Sequence, residues 1–233
     1  MCPLFWGKTE NKEDTKMWHI LRYTADLLHL ASFGILIWKV KKGKNCSGIS
    51  CRTQELYLIV FCARYWDLFF HWISLYHLFM KVAFIASSAY VIYLMRRKLP
   101  YCLSYDKEAD NFDYIKYLIG PCTLLALITA ADWSWFELSW TFSLWLEAIA
   151  FVPQLLMLQR MGEVENMTSH YVSTLGAYRG IYLIHWIVKF VNGLHISAIQ
   201  FIAGMIQTFL YADFLYYYVL SIKSGSRVKL PIQ

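Results

Sequence analysis

Seven runs of mainly apolar residues follow one another along the chain, at roughly 19–38, 54–72, 78–95, 114–131, 137–157, 171–191 and 197–220. Each is close to the ~20 residues that a helix needs to cross the hydrocarbon of a bilayer. In lipid every backbone N–H and C=O must find its partner inside the protein, so runs of this length leave helices as the solution. The spacing therefore predicts an all-α membrane protein of seven transmembrane helices. Composition agrees: 58% of the 233 residues are hydrophobic and only 16% are charged, against about 25% in soluble domains. The formal charge of +6 is spread over the connecting segments. It forms no basic stripe, which argues against nucleic acid as a partner. Cys2, Cys46, Cys51, Cys62, Cys102 and Cys122 make no CxxC pair or His/Cys cluster, so free thiols are expected, with no metal and no cofactor. The polar first 18 residues carry no cleavable signal peptide in this reading.

Basic residues predict orientation. Lys39, Lys41, Lys42, Lys44, Arg52, Arg96, Arg97, Lys98, Lys107, Arg160, Lys223, Arg227 and Lys229 fall on one side of the seven spans. Lys8, Lys12 and Lys16 fall on the other. The richer side is expected in the cytosol. This places segment 1–18 in the lumen, a membrane domain at 19–220 and a cytosolic tail at 221–233. The sequons at Asn45 and Asn166 then lie on the cytosolic side and are expected without sugar. A faint echo between 50–65 and 169–182 sets an arginine beside a tyrosine twice, in Arg64-Tyr65 and Tyr178-Arg179. Two parallel three-helix repeats joined by a linker helix would produce it.

Twelve ionisable residues interrupt the spans: Arg22, Arg64, Lys81, Lys116, Arg179, Lys189, Asp26, Glu55, Asp67, Glu137, Glu147 and Asp213. A charge at the bilayer centre costs about 2.5–3.5 kcal/mol on insertion scales, so these groups must meet each other, water or a ligand. Helical spacing puts Arg22, Asp26 and His29 on one face, and Arg64, Asp67 and His71 on another. Glu137, Trp140 and Glu147 share a third face. Tyr178, Tyr182, His185 and Lys189 share a fourth, with Arg179 beside them. Four inward stripes make one polar cavity. Lys81 and Lys116 suit snorkelling near span ends, Glu55 suits a helix start, and Arg64 with Asp67 has the spacing of a self-neutralising pair. The surplus of guanidinium groups points further, to carboxylates gripped two-handed. The acids Asp67, Glu137 and Glu147 would accept a cation, so the implied ligand is small and of mixed charge. His29, with an unperturbed pKa near 6.5, is the natural proton sensor.

The segments ARYWDLF (63–69), ISLYHLFMK (73–81), WTFSLWLEAIAFVPQL (140–155), TSHYVSTLGAYRGIYLIHW (168–186) and AGMIQTFLYADFLYYY (203–218) resemble the KDEL receptor family. These are seven-helix receptors that return escaped endoplasmic-reticulum proteins from the Golgi. Pro153-Gln154 is similar to the motif of the PQ-loop and sugar-exporter superfamily; Thr53-Gln54 stands at the matching place of the first half. The resemblance implies a lumenal cavity for the carboxyl-terminal tetrapeptide Lys-Asp-Glu-Leu. It implies that Arg64 with Tyr65 takes the terminal carboxylate, that Arg22 and Arg179 serve acidic groups, and that Asp67 and Glu137 meet the ligand lysine. Trp140 shields the carboxylate, and Tyr182, Trp186 and Lys189 complete the ligand-binding set. His29, bonded towards Tyr178 and Glu147, senses pH, so that binding is strongest in the acidic Golgi and falls as pH rises. Asp213 serves transport. Lys223, Arg227 and Lys229 form the tail read by the COPI coat. Residence in endoplasmic-reticulum and Golgi membranes follows.

The chain departs from that pattern at four places. About 17 residues precede the matching segment. Lys189 replaces a family arginine and loses its two-pronged grip, and His185 replaces an asparagine. The tail is reduced to KSGSRVKLPIQ. The competing readings are a small-solute transporter on the same scaffold, favoured by Pro153-Gln154, and a G-protein-coupled type of receptor, disfavoured by the short loops. No nucleophile–base pair or metal cluster suggests an enzyme.

Overall fold

Seven helices dominate the residues that the computed structural model describes, which are 12–69, 75–194 and 196–231, the side chains of 12–18, 67 and 69 excepted. They are α1 Lys12–Gly43, α2 Cys51–Arg64, α3 Leu75–Arg97, α4 Ile115–Thr129, α5 Trp135–Met161, α6 Asn166–Val191 and α7 Ala198–Ser224. Local chemistry sets several ends. Ser50 caps α2, its hydroxyl accepting from Thr53 N–H at 3.1 Å, and Ser134 caps α5 by accepting from Glu137 N–H at 3.3 Å. Gly162 (φ 70°) ends α5 and Gly225 (φ 65°) ends α7, in backbone that glycine enters without steric cost. Inside α5 the helix is interrupted between Ile149 and Val152. Pro153 lacks an N–H there and its ring crowds the carbonyl of Ile149.

From His19 onward α1 is long and apolar enough to cross a bilayer, as are α3, α5 and α7, while α4 is a shorter apolar helix. The outer surface carries large apolar side chains such as Leu27, Phe79, Ile128, Phe209 and Val219, whereas Glu147, Arg179 and Gln154 are buried. That inversion suits a hydrocarbon solvent. Two apolar clusters fill the interior. One centres on Leu36, Val91, Tyr171 and Phe214, the other on Phe33, Tyr57, Phe61 and Phe84.

The contact pattern is the same in both halves. Helix α3 packs on both α1 and α2, and α7 packs on both α5 and α6; the halves meet through α1 against α6 and α2 against α5. Thr53-Gln54 in α2 and Pro153-Gln154 in α5 touch: Thr53 Oγ1 accepts from Gln154 N–H at 3.0 Å. Gln154 also accepts from Ser50 N–H at 2.9 Å and donates to Gly48 O at 2.8 Å. Beside it, buried Asp110 accepts from Ser50 Oγ at 2.7 Å, Tyr105 O–H at 2.7 Å and Arg52 N–H at 3.2 Å. Strands β1 Glu163–Val164 and β2 Val228–Lys229 pair antiparallel and lay the chain's end on the α5–α6 turn, with Val228 and Leu230 buried.

Several boundaries differ from expectation. The second span does not run on to 72. It stops at Arg64, and a 3-10 turn follows at Trp66–Phe69, so Arg64 and Asp67 share no α-helical face; His71 lies outside the described residues. Helix α1 begins at Lys12, inside the segment expected as a lumenal extension. Lys39 is no loop residue: it is buried within α1, bonded to Ser47 O and paired with Glu165 at 3.3 Å. Glu55 does not complement the helix start, because α2 begins at Cys51 and no acid lies in its first turn. It is ion-paired with Arg96 and accepts from Tyr114 O–H at 2.9 Å, which fastens α3 and the approach to α4 onto α2.

Candidate functional site: a buried carboxylate between two guanidinium groups

The site is built around Glu147, on the inward face of α5. Its side chain is 3% exposed and is ion-paired with Arg64 from α2 and Arg179 from α6. Arg64 closes the 14-residue α2, and Arg179 holds the fourteenth position of α6, so the faint sequence echo becomes a shared carboxylate. Arg64 also donates from Nε to Ser143 Oγ and from Nη2 to Ser143 O, both at 3.1 Å. Tyr178 donates to Glu147 Oε1 at 3.2 Å. Burying charge is costly unless it is paired and hydrogen-bonded. One carboxylate against two guanidinium groups leaves a positive excess. Arg64, 20% exposed, is the more open of the two, since Arg179 is 9% exposed.

His29 lies against this cluster but not in the expected contact. Its ring stacks on Tyr178 at 4.0 Å with 8° between planes, among Phe33, Phe61 and Phe84. Its Nε2 is buried without a hydrogen-bond partner among the described residues, and Tyr178 gives its hydroxyl to Glu147 instead. The geometry is a ring in van der Waals contact with the charge cluster.

Nearer the N-terminal ends of α1 and α3, Asp26 accepts hydrogen bonds from Tyr182 and, at 3.3 Å, from Tyr76. Arg22 Nε lies 4.0 Å from the Asp26 carboxylate, and its Nη2 is 3.1 Å from His77 Nε2. The Arg22 side chain is 45% exposed. Tyr65, half-buried, stacks on Phe61, and Lys81 sits over the Tyr65 ring at 5.4 Å. Along α6, Tyr182 meets buried His185 edge-on and Trp186 at a tilt, and Trp186 also meets Gly204. The Nδ1 of His185 has no hydrogen-bond partner among the described residues. Lys189 is half-buried in the last turn.

Direct contacts thus link Arg22 with Asp26 and Tyr182, His29 with Tyr178, and Arg64 and Arg179 with Glu147, with Tyr65 and His185 alongside. Arg64 pairs with Glu147 across helices, and the Asp67 side chain lies outside the described residues. Glu137 and Trp140 are half-buried earlier in α5, where Thr141 Oγ1 is 3.4 Å from Glu137 Oε1. Asp213 is on an exposed flank of α7, and Lys223, Arg227 and Lys229 are exposed at the chain's end. Residues that sequence reasoning missed include Ser143, Tyr76 and His77. The i, i+4 step from Ser143 to Glu147 was a usable signal; nothing in the sequence signalled the other two.

The sequence profile of a family described as ER lumen protein retaining receptor matches residues 45–189. An ER lumen protein-retaining receptor of Plasmodium falciparum is 50% identical over 215 residues, spanning 91% of this chain and 97% of the relative. ER lumen protein-retaining receptor A of Arabidopsis thaliana is 46% identical over 91% of this chain and 99% of its own. The receptor of Drosophila melanogaster is 40% identical over 91% and 99%. With a matching profile and relatives aligned almost end to end, the chain belongs to the ER lumen protein-retaining receptor family.

Proposed function

We propose that this chain is a receptor for the carboxyl-terminal Lys-Asp-Glu-Leu type of tetrapeptide, which it binds in the acidic Golgi and releases in the endoplasmic reticulum. One observation carries the chemistry: Arg64 and Arg179 converge on the single carboxylate of Glu147, with Arg22 close to the surface nearby. The preformed excess of guanidinium favours a multiply anionic ligand. A ligand carboxylate that takes over part of the hold on Arg64 exchanges one paired anion for another, so little desolvation is added. The names of the relatives support the reading, and family membership does not favour the solute-transporter alternative.

In this reading Arg64 and Tyr65 take the terminal carboxylate, and Arg22 and Arg179 serve the acidic groups. Asp67 and Glu137 meet the ligand lysine, Trp140 shields the site, and Tyr182, Trp186 and Lys189 line it. His29 senses pH through its stack on Tyr178 and its proximity to Glu147. The protonated imidazolium adds attraction for an anionic ligand, so affinity is highest below the ordinary histidine range and falls as pH rises through it. The N-terminal segment 1–18 and the peptide site face the lumen. The repeat arrangement, two three-helix halves around α4, is supported by the shared contact pattern. Asp213 serves transport. Lys223, Arg227 and Lys229, on the tail 221–233, are offered to the COPI coat from the cytosolic side.

The test is a binding isotherm of labelled peptide on purified receptor at pH 5.5 and 7.4. Tighter binding at pH 5.5 that is flattened by His29→Gln is the expected result. Full pH dependence in His29→Gln would refute the sensor. Uptake of a small solute by proteoliposomes without peptide binding would refute the receptor.

A further inference from the structure

The contact between Arg22 and His77 has a chemical direction. A guanidinium has donors only, so at 3.1 Å from Arg22 Nη2 the Nε2 atom of His77 acts as the acceptor. The contact thus requires a neutral imidazole with its proton on Nδ1. Protonation converts the acceptor to a donor and sets a second positive charge against the guanidinium. The other ligand of Arg22 is a weak hold. Asp26 is 4.0 Å away and already accepts the hydroxyls of Tyr76 and Tyr182.

We propose that His77 is a positioning residue for Arg22: neutral, it holds the guanidinium at the mouth of the site; protonated, it lets go and frees Arg22 for an acidic group of the ligand. This deepens the peptide-receptor reading and rests on it, and it gives the site a second acid-operated element on a different helix from His29. Among the described residues the groups bearing on His77 are Arg22 and Asp26 of α1, Tyr76 and Lys81 of α3 and, through Asp26, Tyr182 of α6. Tyr23 packs edge-on to Tyr76 and completes the wall. Arg22 and Lys81 repel an imidazolium and Asp26 attracts one. A ligand carboxylate drawn to Arg22 weakens that repulsion, so peptide binding and protonation of His77 support each other.

Two variants separate this from a packing role, because they move in opposite directions. His77→Gln keeps an acceptor that does not titrate. It is expected to hold Arg22 at every pH and to weaken peptide binding at pH 5.5 about tenfold, the worth of one charge-assisted hydrogen bond, with little change at pH 7.4. His77→Ala frees Arg22 at every pH and is expected to strengthen binding at pH 7.4 by a similar factor, with little change at pH 5.5. Both variants shifting affinity the same way at both pH values, or neither shifting it, overturns the proposal. If the wild type binds no peptide, the receptor reading falls and His77 is judged on the ligand-free protein. Labelling of Arg22 by phenylglyoxal, followed by mass spectrometry at pH 7.4, is then expected to be faster in His77→Ala than in the wild type. Equal rates overturn the proposal.

Discussion

Two polar clusters lie along the same bundle and are finished to different degrees. Gln154 both donates and accepts, and Asp110 takes three hydrogen bonds, so these two side chains are used up. Around Glu147 the balance is left open. Two guanidinium groups share one carboxylate, and Arg179 Nε, His29 Nε2 and His185 Nδ1 are buried without hydrogen-bond partners among the described residues. A satisfied buried network rigidifies the fold, whereas unmet valences are costly unless a ligand meets them. The first cluster fastens helices together, and the second is the one that the proposed function takes as the receptor site.

The sharpest way to break this contrast is to remove the anion that both arginines need. Glu147→Ala leaves buried Arg179 and part-buried Arg64 without the anion they share. It is expected to destabilise the protein by about 3–5 kcal/mol, as when one member of a buried ion pair is lost. Unfolding in detergent measures it, and a loss below 1 kcal/mol would show that Glu147 is not the keystone. Asp110→Asn is the counterpart at the other cluster. A loss of about 1–3 kcal/mol is expected from the disturbed hydrogen bonds, with peptide affinity unchanged once the variant is folded. A large affinity change there would erase the distinction between the clusters. Gly204→Ala probes the wall behind Trp186. A Cβ would approach Trp186 to 2.2 Å, so a loss of about 1–3 kcal/mol is expected, with weaker peptide binding as Trp186 shifts. The smallest effect concerns Cys46, in the turn before α2. Burial pushes its thiol up to about 11, so at pH 7.4 it is covered and protonated and should react with maleimide only after unfolding. Rapid labelling of the folded protein would show that this end is open.

Helices and stripes were legible because hydrophobic length and the 3.6-residue period are local properties. Tyr178, Tyr182 and His185 do line one face of α6, and Arg22 and Asp26 do adjoin on α1. Partners across helices were not legible. Spacing alone gave Arg64 the nearby Asp67, while packing of α2 on α5 gave it Glu147. Nor did the apolar run through 72 betray the end of α2, because no Pro or Gly marks it between 60 and 72. His29 shows the same limit: its place on the stripe was visible, but stacking and hydrogen bonding to Tyr178 are equally compatible with that place.

The central claim is that the Glu147 cluster reads a free carboxyl terminus. The most direct measurement compares two peptides ending in Lys-Asp-Glu-Leu, one a free acid and one an amide, on the wild-type receptor at pH 5.5. Loss of a two-pronged, charge-assisted contact with Arg64 predicts that the amide binds about a hundredfold more weakly. Equal affinity for the two peptides would contradict the account.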